Sequence, residues 1–469
     1  LNSRKLLTRN TIVLLLIGVL LFSFTPVHAQ ETGPVYVVQP GDTLYSIARR
    51  FGTTVEAILQ INSISDASRI FAGTELTIPG FPGVTGVLGF KQVAFGESLE
   101  GLALQYAVTS EDLARLNRLL KRDGFYAGQS IIVPESEDGE TPQGTGSIKI
   151  FQRDRSRLET AVVDDTNPWS FTTVDGELTS AWVLPGKLFV DPTSEQESIT
   201  FLDPLESVTI DPVPLIQGQT TTIHVETSKP LTLEGELGDF ELGFFPVNEN
   251  EQVALQGIHA MAETGLRMFS LNLSDPANGD PLYAFQQPIL LESGEYGSTV
   301  LNGVPPETID PKVIEPEEAL IAEVLAPKTP VKHWDGPFEY PSRYYTDEFI
   351  AYFGTRRSYN NGSYLYYHTG VDFYGNGVPV YASAPGYVVF ASSLTVRGNV
   401  TYIDHGWGVY SGYLHQSEIY VEIGDFVEAG QVIGEVGNTG RVTGPHLHWE
   451  IWVGGVPVEP LTWIDRSFP

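Results

Sequence analysis

The chain has 469 residues, too many for one hydrophobic core, so several domains are expected. Acidic residues outnumber basic ones 58 to 27, a formal charge of −31, which argues against a nucleic-acid binder that works by displacing phosphate counterions. Hydrophobic residues at 42%, with 47 glycines and 32 prolines, fit short strands and frequent turns rather than a helical bundle.

Arg4, Lys5 and Arg9 precede an uncharged apolar run over residues 11–24, and Val27-His28-Ala29 follows. A basic head, an apolar middle and small residues at a cut site predict a secretory signal over residues 1–29, cleaved after Ala29. The run is shorter than the roughly 20 residues of a spanning helix. There is no cysteine, so an exported chain must hold its domains by burial or by metal. The mature chain is expected to be secreted, extracellular or periplasmic, with no membrane segment.

Residues 35–134 repeat themselves at an offset of 55. Gly41-Asp42-Thr43-Leu44 returns as Gly96-Glu97-Ser98-Leu99, Ile61-Asn62 as Leu116-Asn117, and Ala72-Gly73 as Ala127-Gly128. So many matches in one register indicate a duplicated domain. Each copy reads as strand-helix-helix-strand. In the first, residues 35–38 form a strand, Asp42 or Thr43 caps a helix through Phe51, and Thr53 with Glu56 has capping-box spacing for a second helix ending near Asn62. Gly73 turns into a closing strand over residues 75–78.

The segment Tyr36-Val37-Val38-Gln39-Pro40-Gly41-Asp42-Thr43-Leu44 resembles the opening of LysM domains. The resemblance covers residues 35–79 closely and 88–134 less so, since Phe95-Gly96-Glu97-Ser98 departs from the family's Gly-Asp-Thr/Ser run. It implies binding of N-acetylglucosamine-containing glycan through the groove between the first helix and the strand-helix loops.

Residues 135–147 read as a linker. Residues 148–300 show short alternating runs, such as 220–226 and 231–234, broken by Gly, Pro, Asp and Asn. That pattern predicts an antiparallel, β-sandwich-like middle region. His224 and His259 there are read as structural. Residues 302–335 are rich in Pro and acid and read as a linker with one short helix over 317–325, Pro316 lying near its first turn.

The last domain, residues 336–469, reads as all strand and turn, and it holds five of the eight histidines that follow residue 29. Such clustering of the commonest zinc ligand points to a metal site. His446 and His448 are two apart, so both face one side of an extended strand. His368 and Asp372 are four apart, which keeps the same parity. Two histidines and a carboxylate suffice for a hydrolytic zinc site with one open position, and further histidines could move protons. A His-Glu-X-X-His motif, a Gly-X-Ser-X-Gly elbow and a cysteine nucleophile are all missing.

Residues 350–465 resemble the lysostaphin/LytM family of zinc endopeptidases, through His368-Thr369-Gly370-Val371-Asp372, Tyr413-Leu414-His415 and Gly444-Pro445-His446-Leu447-His448-Trp449-Glu450. The resemblance implies Zn2+ held by His368, Asp372 and His448, with His415 and His446 as the catalytic pair. Arg356 and His405 are read as framework residues, and core packing is the expected job of Trp407, Trp449 and Trp452.

The expected molecule is multidomain and mainly β: two small α+β LysM units, a β-sandwich-like middle region and a C-terminal all-β zinc peptidase domain. Its expected function is cutting the stem-peptide cross-links of bacterial peptidoglycan at the cell wall, targeted by the LysM pair. The competing reading is a non-cleaving wall-binding regulator or scaffold that uses the peptidase fold.

Overall fold

The computed structural model describes residues 33–66, 70–97, 99–119, 125–135, 147–151, 158–164, 167–173, 189–191, 205–344 and 349–469. The signal segment 1–29 and nearly all of the 135–147 linker lie outside the described residues. The molecule is mainly β. Among the described residues no helix is long and apolar enough to cross a membrane. The described residues form two compact units: one holds those up to 89 with 111–118 and 132–135, the other those of 90–110, 119–131 and from 147 onward.

In the first unit, strand Val35–Val37 pairs antiparallel with Glu75–Thr77 and parallel with the start of Val87–Gln92. Helix Leu44–Phe51 is capped by Thr43, whose hydroxyl accepts from Ser46 while Ser46 Oγ accepts from Thr43 N–H. The second helix, Val55–Ile61, is capped by Thr54 through Ala57 N–H, not by Thr53, because Thr54 is the extended residue at the helix entry. Asn62 closes the repeat. Its side chain bonds Ile58 O, Thr77 O and Thr77 N–H at 2.8–2.9 Å. Asn117 does the same with Leu113 and Ile132 in the second copy.

The second unit contains a four-stranded sheet of Asn167–Thr173, Leu158–Asp164, Ser147–Phe151 and Phe189–Asp191. A sandwich follows over residues 205–292. One of its sheets has five strands and the other four. Alternation explains the packing: in Thr232–Leu237 every second residue is buried, so Leu233 and Leu237 enter the core with Phe269, Leu271 and Ile289.

Part of the second LysM copy is built into this sandwich. Phe95 packs edge-on to Phe269 at 5.0 Å, Gly96 N–H donates to buried Gln287, and Ala127 exchanges backbone bonds with Pro288 and Leu290.

The C-terminal domain is a ten-stranded sheet whose central run is Val371–Tyr374, His446–Val453, Val409–Ile419, Gly398–Gly406 and Gly386–Leu394, all antiparallel. Its core is continuous with the sandwich: Phe245 stacks on Trp407 at 5.4 Å, and Val253 and Leu255 join Trp334, Trp449 and Trp463 in one apolar cluster.

Residues 302–335 carry a helix longer than the one expected. It runs Pro311–Val324 from an Asp310 cap and contains Pro316 in its interior. Burial of Ile314, Glu317 and Ile321 holds it in place despite the amide hydrogen that Pro316 lacks. Just upstream, Ser298–Leu301 pairs in parallel with Arg356–Tyr359 of the C-terminal domain.

Candidate metal centre

Strand register brings the site together. Asp372 stands directly opposite His448 in the antiparallel pair Val371–Tyr374 and His446–Val453. Gly370 lets the two strands close, because a Cβ there would lie 2.1 Å from the Trp449 carbonyl oxygen. His368 enters from the turn before the strand. Its Nε2 is 2.8 Å from Asp372 Oδ1 and 2.8 Å from His448 Nδ1, while Asp372 Oδ1 and His448 Nδ1 are 2.7 Å apart. All three residues are buried.

The outer hydrogen bonds fix which nitrogen carries each proton. His368 Nδ1 faces the Tyr352 carbonyl at 2.9 Å, and a carbonyl only accepts, so Nδ1 carries the hydrogen and Nε2 is left with a lone pair. His448 Nε2 faces Glu450 Oε1 at 3.1 Å, which leaves Nδ1 inward. Two nitrogen lone pairs and a carboxylate oxygen thus converge on one point. That donor set fits a divalent metal with imidazole and carboxylate ligands, each histidine braced by an acceptor on its other nitrogen.

Charge follows the same logic. Burial pushes His368 down to about 4, with Arg357 and His448 adding to it against Asp372. Burial would raise Asp372, but the charges of His368 and His446 and its hydrogen bonds hold it well below the usual carboxylate range. Burial also opposes charge on His448, yet its bonds to Asp372 and Glu450 raise it above the ordinary value. A proton and a divalent cation would compete for the inward Nδ1 of His448.

His415 and His446 flank the triangle. His415 sits where strand Val409–Ile419 bulges against Gly398–Gly406, at a left-handed φ of 66°. Its Nδ1 donates to the Thr439 carbonyl at 2.8 Å, so Nε2 is free. Burial and the charges of His446 and His448 keep it well below its ordinary pKa, hence neutral. His446 Nδ1 donates to Gly444 O at 2.8 Å, which leaves its Nε2 free, 3.7 Å from Asp372 Oδ1. The two rings are 5.0 Å apart. All five residues singled out from the sequence line one cleft of about 420 Å³, together with Arg357, Arg441 and Glu318.

The other singled-out residues lie apart from the triangle. His405 is buried between Pro385 O and Ser411 Oγ. His259 accepts from Met261 N–H and bonds Tyr367 Oη. His224 pairs with Glu251. Arg356 donates to the Tyr296 carbonyl. Trp407 and Trp449 are core residues, whereas Trp452 donates to Glu450 Oε2 at 2.8 Å. Two neighbours of the triangle were not singled out. Arg357 Nη2 donates to Asp372 Oδ2 at 2.9 Å, and Glu450 braces His448.

Residues 366–460 match the model of peptidase family M23, and residues 36–79 and 92–134 match the LysM domain. Over 95 residues, 20% of this chain and 22% of the relative, the chain is 48% identical to the peptidoglycan DD-endopeptidase ShyA of Vibrio cholerae. It is 45% identical over 96 residues, again 20% and 22%, to the DD-carboxypeptidase/endopeptidase Mpg of Neisseria meningitidis. The match thus spans about a fifth of these relatives' length. A solved structure of a putative peptidase M23 from Pseudomonas aeruginosa covers 54% of this chain and 96% of its own, at 23% identity and a TM-score of 0.36. The chain carries an M23 peptidase domain at its C-terminal end and two LysM domains ahead of it.

Proposed function

We propose that this chain is a zinc metalloendopeptidase that cuts stem-peptide cross-links of bacterial peptidoglycan outside the cytoplasm, at the cell wall, and is brought to its substrate by LysM binding to N-acetylglucosamine-containing glycan. The observation that carries the reading is the convergence of His368 Nε2, Asp372 Oδ1 and His448 Nδ1 beside two histidines whose free Nε2 atoms remain. The D,D-endopeptidase names of the relatives favour a cross-link made by D-amino acids as the bond cut.

His368, Asp372 and His448 would hold the zinc, which when bound would supply Lewis-acid polarisation of the scissile carbonyl and acidify water at neutral pH. The chain's own residues do the rest. His415 and His446 each turn Nε2 to the cleft, so one accepts the water's proton and returns it to the leaving amine, while the other, carrying a proton on Nε2, donates to the oxyanion. Arg357 occupies Asp372 Oδ2, which leaves Oδ1 as the inward ligand atom. Tyr352 and Glu450 keep the two ligand imidazoles in their binding tautomers.

The test compares two histidines of the same cluster. His448→Ala should lose zinc and activity together. His415→Ala should keep about one equivalent of zinc and lose on the order of a hundredfold in rate on a cross-linked muropeptide. A wild-type protein that holds zinc, binds wall material and releases no peptide product would instead be a wall-binding regulator.

A further inference from the structure

A chain of buried polar groups reaches the metal centre from outside the residues that match the peptidase family. Glu317, on helix Pro311–Val324, is only 6% exposed. Its carboxylate accepts from Val396 N–H at 2.9 Å, from Arg397 N–H at 3.0 Å and from Arg397 Nη1 at 3.0 Å. Arg397 Nε donates to Tyr402 Oη at 3.2 Å, and Tyr402 donates to Glu450 Oε2 at 3.0 Å. The other oxygen of Glu450 is the one that braces His448. The Arg397 carbonyl meanwhile accepts the N–H of His415 at 3.0 Å.

We propose that Glu317 is a positioning residue for the metal centre: it fixes the turn at Val396 and Arg397, and through that turn it sets the brace on His448 and the backbone at His415. The proposal rests on reading His368, Asp372 and His448 as a metal site. Its physical basis is the coupling between a ligand imidazole and the acceptor on its far nitrogen, which sets ring orientation and basicity. Arg397 is a buried cation with two carboxylates in the chain, Glu317 on one side and Glu450 beyond Tyr402. Without Glu317 the guanidinium keeps only Glu450, drawing that carboxylate away from His448. The helix does not depend on this contact alone, because Ile321 and Leu325 pack on Val400, Tyr402, Tyr410 and Leu414.

The experiment uses the full chain with Glu317→Gln and Glu317→Ala, and Glu315→Gln on the exposed side of the same helix as the control. Zinc affinity is measured by chelator competition, and the visible spectrum is recorded with cobalt(II) in place of zinc. Both Glu317 variants should bind zinc about 10–100-fold more weakly and shift the cobalt bands, with kcat lowered more than KM, while Glu315→Gln matches wild type. An unchanged affinity and spectrum in both Glu317 variants, even with a lowered Tm, would overturn the proposal and leave Glu317 as a helix anchor. A wild-type chain that binds neither metal would overturn the metal-centre reading itself, and the proposal with it. If wild type binds zinc but cuts no muropeptide, only the substrate assignment fails, and affinity and spectrum still decide the role of Glu317.

Discussion

The two LysM copies share one local grammar and meet different surroundings. Both close through the same asparagine, Asn62 or Asn117, bonded to a helix carbonyl and to the closing strand. In both, a glycine at left-handed φ, 89° at Gly73 and 84° at Gly128, turns into that strand. Yet Pro40, Gly41, Ala72 and Gly73 are exposed in the first copy, and their counterparts Phe95, Gly96, Ala127 and Gly128 are buried. The second copy spends on the sandwich the same loops that the first leaves to solvent. Duplication here supplies two copies of a fold but only one free copy of its face. The exchange of Pro40 for Phe95 is the largest single change behind the difference.

That comparison can be broken most directly at Phe95. Phe95→Ala should lower the stability of the sandwich by about 3–5 kcal/mol, the usual result of emptying a buried aromatic site. Pro40→Ala at the matching position should change it by less than about 0.5 kcal/mol. Equal losses in denaturant melts of the full chain would mean the two faces are not differently used.

The glycines sharpen the point. Gly73→Ala and Gly128→Ala share a backbone cost of about 1–2 kcal/mol for the left-handed conformation. A Cβ at 73 meets nothing within 4 Å, whereas one at 128 would lie 2.8 Å from Pro214 Cβ and 3.0 Å from its Cα. Gly128→Ala should therefore cost a further 1–3 kcal/mol or so, read as faster amide exchange at Leu290. A somewhat smaller loss, about 1–3 kcal/mol, is expected for Gln287→Leu, which strands the buried Gly96 N–H; its readout is the same melt, with Gly96→Ala excluded as a control because it adds strain.

The smallest stability effect belongs to the free copy. Tyr45 and Phe71 are 71% and 69% exposed, so Tyr45→Ala and Phe71→Ala should leave the melt within about 0.5 kcal/mol of wild type. Co-sedimentation with purified peptidoglycan should nevertheless fall. Retained binding in the double variant would remove the first copy from the glycan contact.

The sequence made short-range relations readable and hid those set by register. His446 and His448 share a face because they are two apart, and the same parity continues to Glu450, so its brace on His448 was open to the same rule. Arg356 and Arg357 show the opposite case. Neighbours on a strand point to opposite faces, and it is Arg357, not the residue singled out, that reaches Asp372. The pairing of Asp372 with His448 spans 76 residues and depends on which strands lie side by side, which local pattern does not encode. Helix Pro311–Val324 was read short because Pro316 looks like a start; Asp310 is the cap, six residues earlier. Its buried Glu317 has no local signal, since its partner Arg397 lies 80 residues on.

The parallel pairing of Ser298–Leu301 with Arg356–Tyr359 bears on modularity. A peptidase excised at Gly336 would begin after that strand and after the Pro311–Val324 helix. It would expose one edge of the Arg356–Tyr359 and Tyr364–Tyr367 hairpin, a row of open amides and carbonyls that invites a second copy to pair. It would also strip Val253, Leu255 and Trp334 from the apolar cluster that holds Trp407 and Trp463. The smallest transplantable piece of this molecule therefore starts ahead of Phe95, whose loop completes the sandwich core, and a graft that carries the family-matching stretch alone would carry the candidate metal ligands without their scaffold.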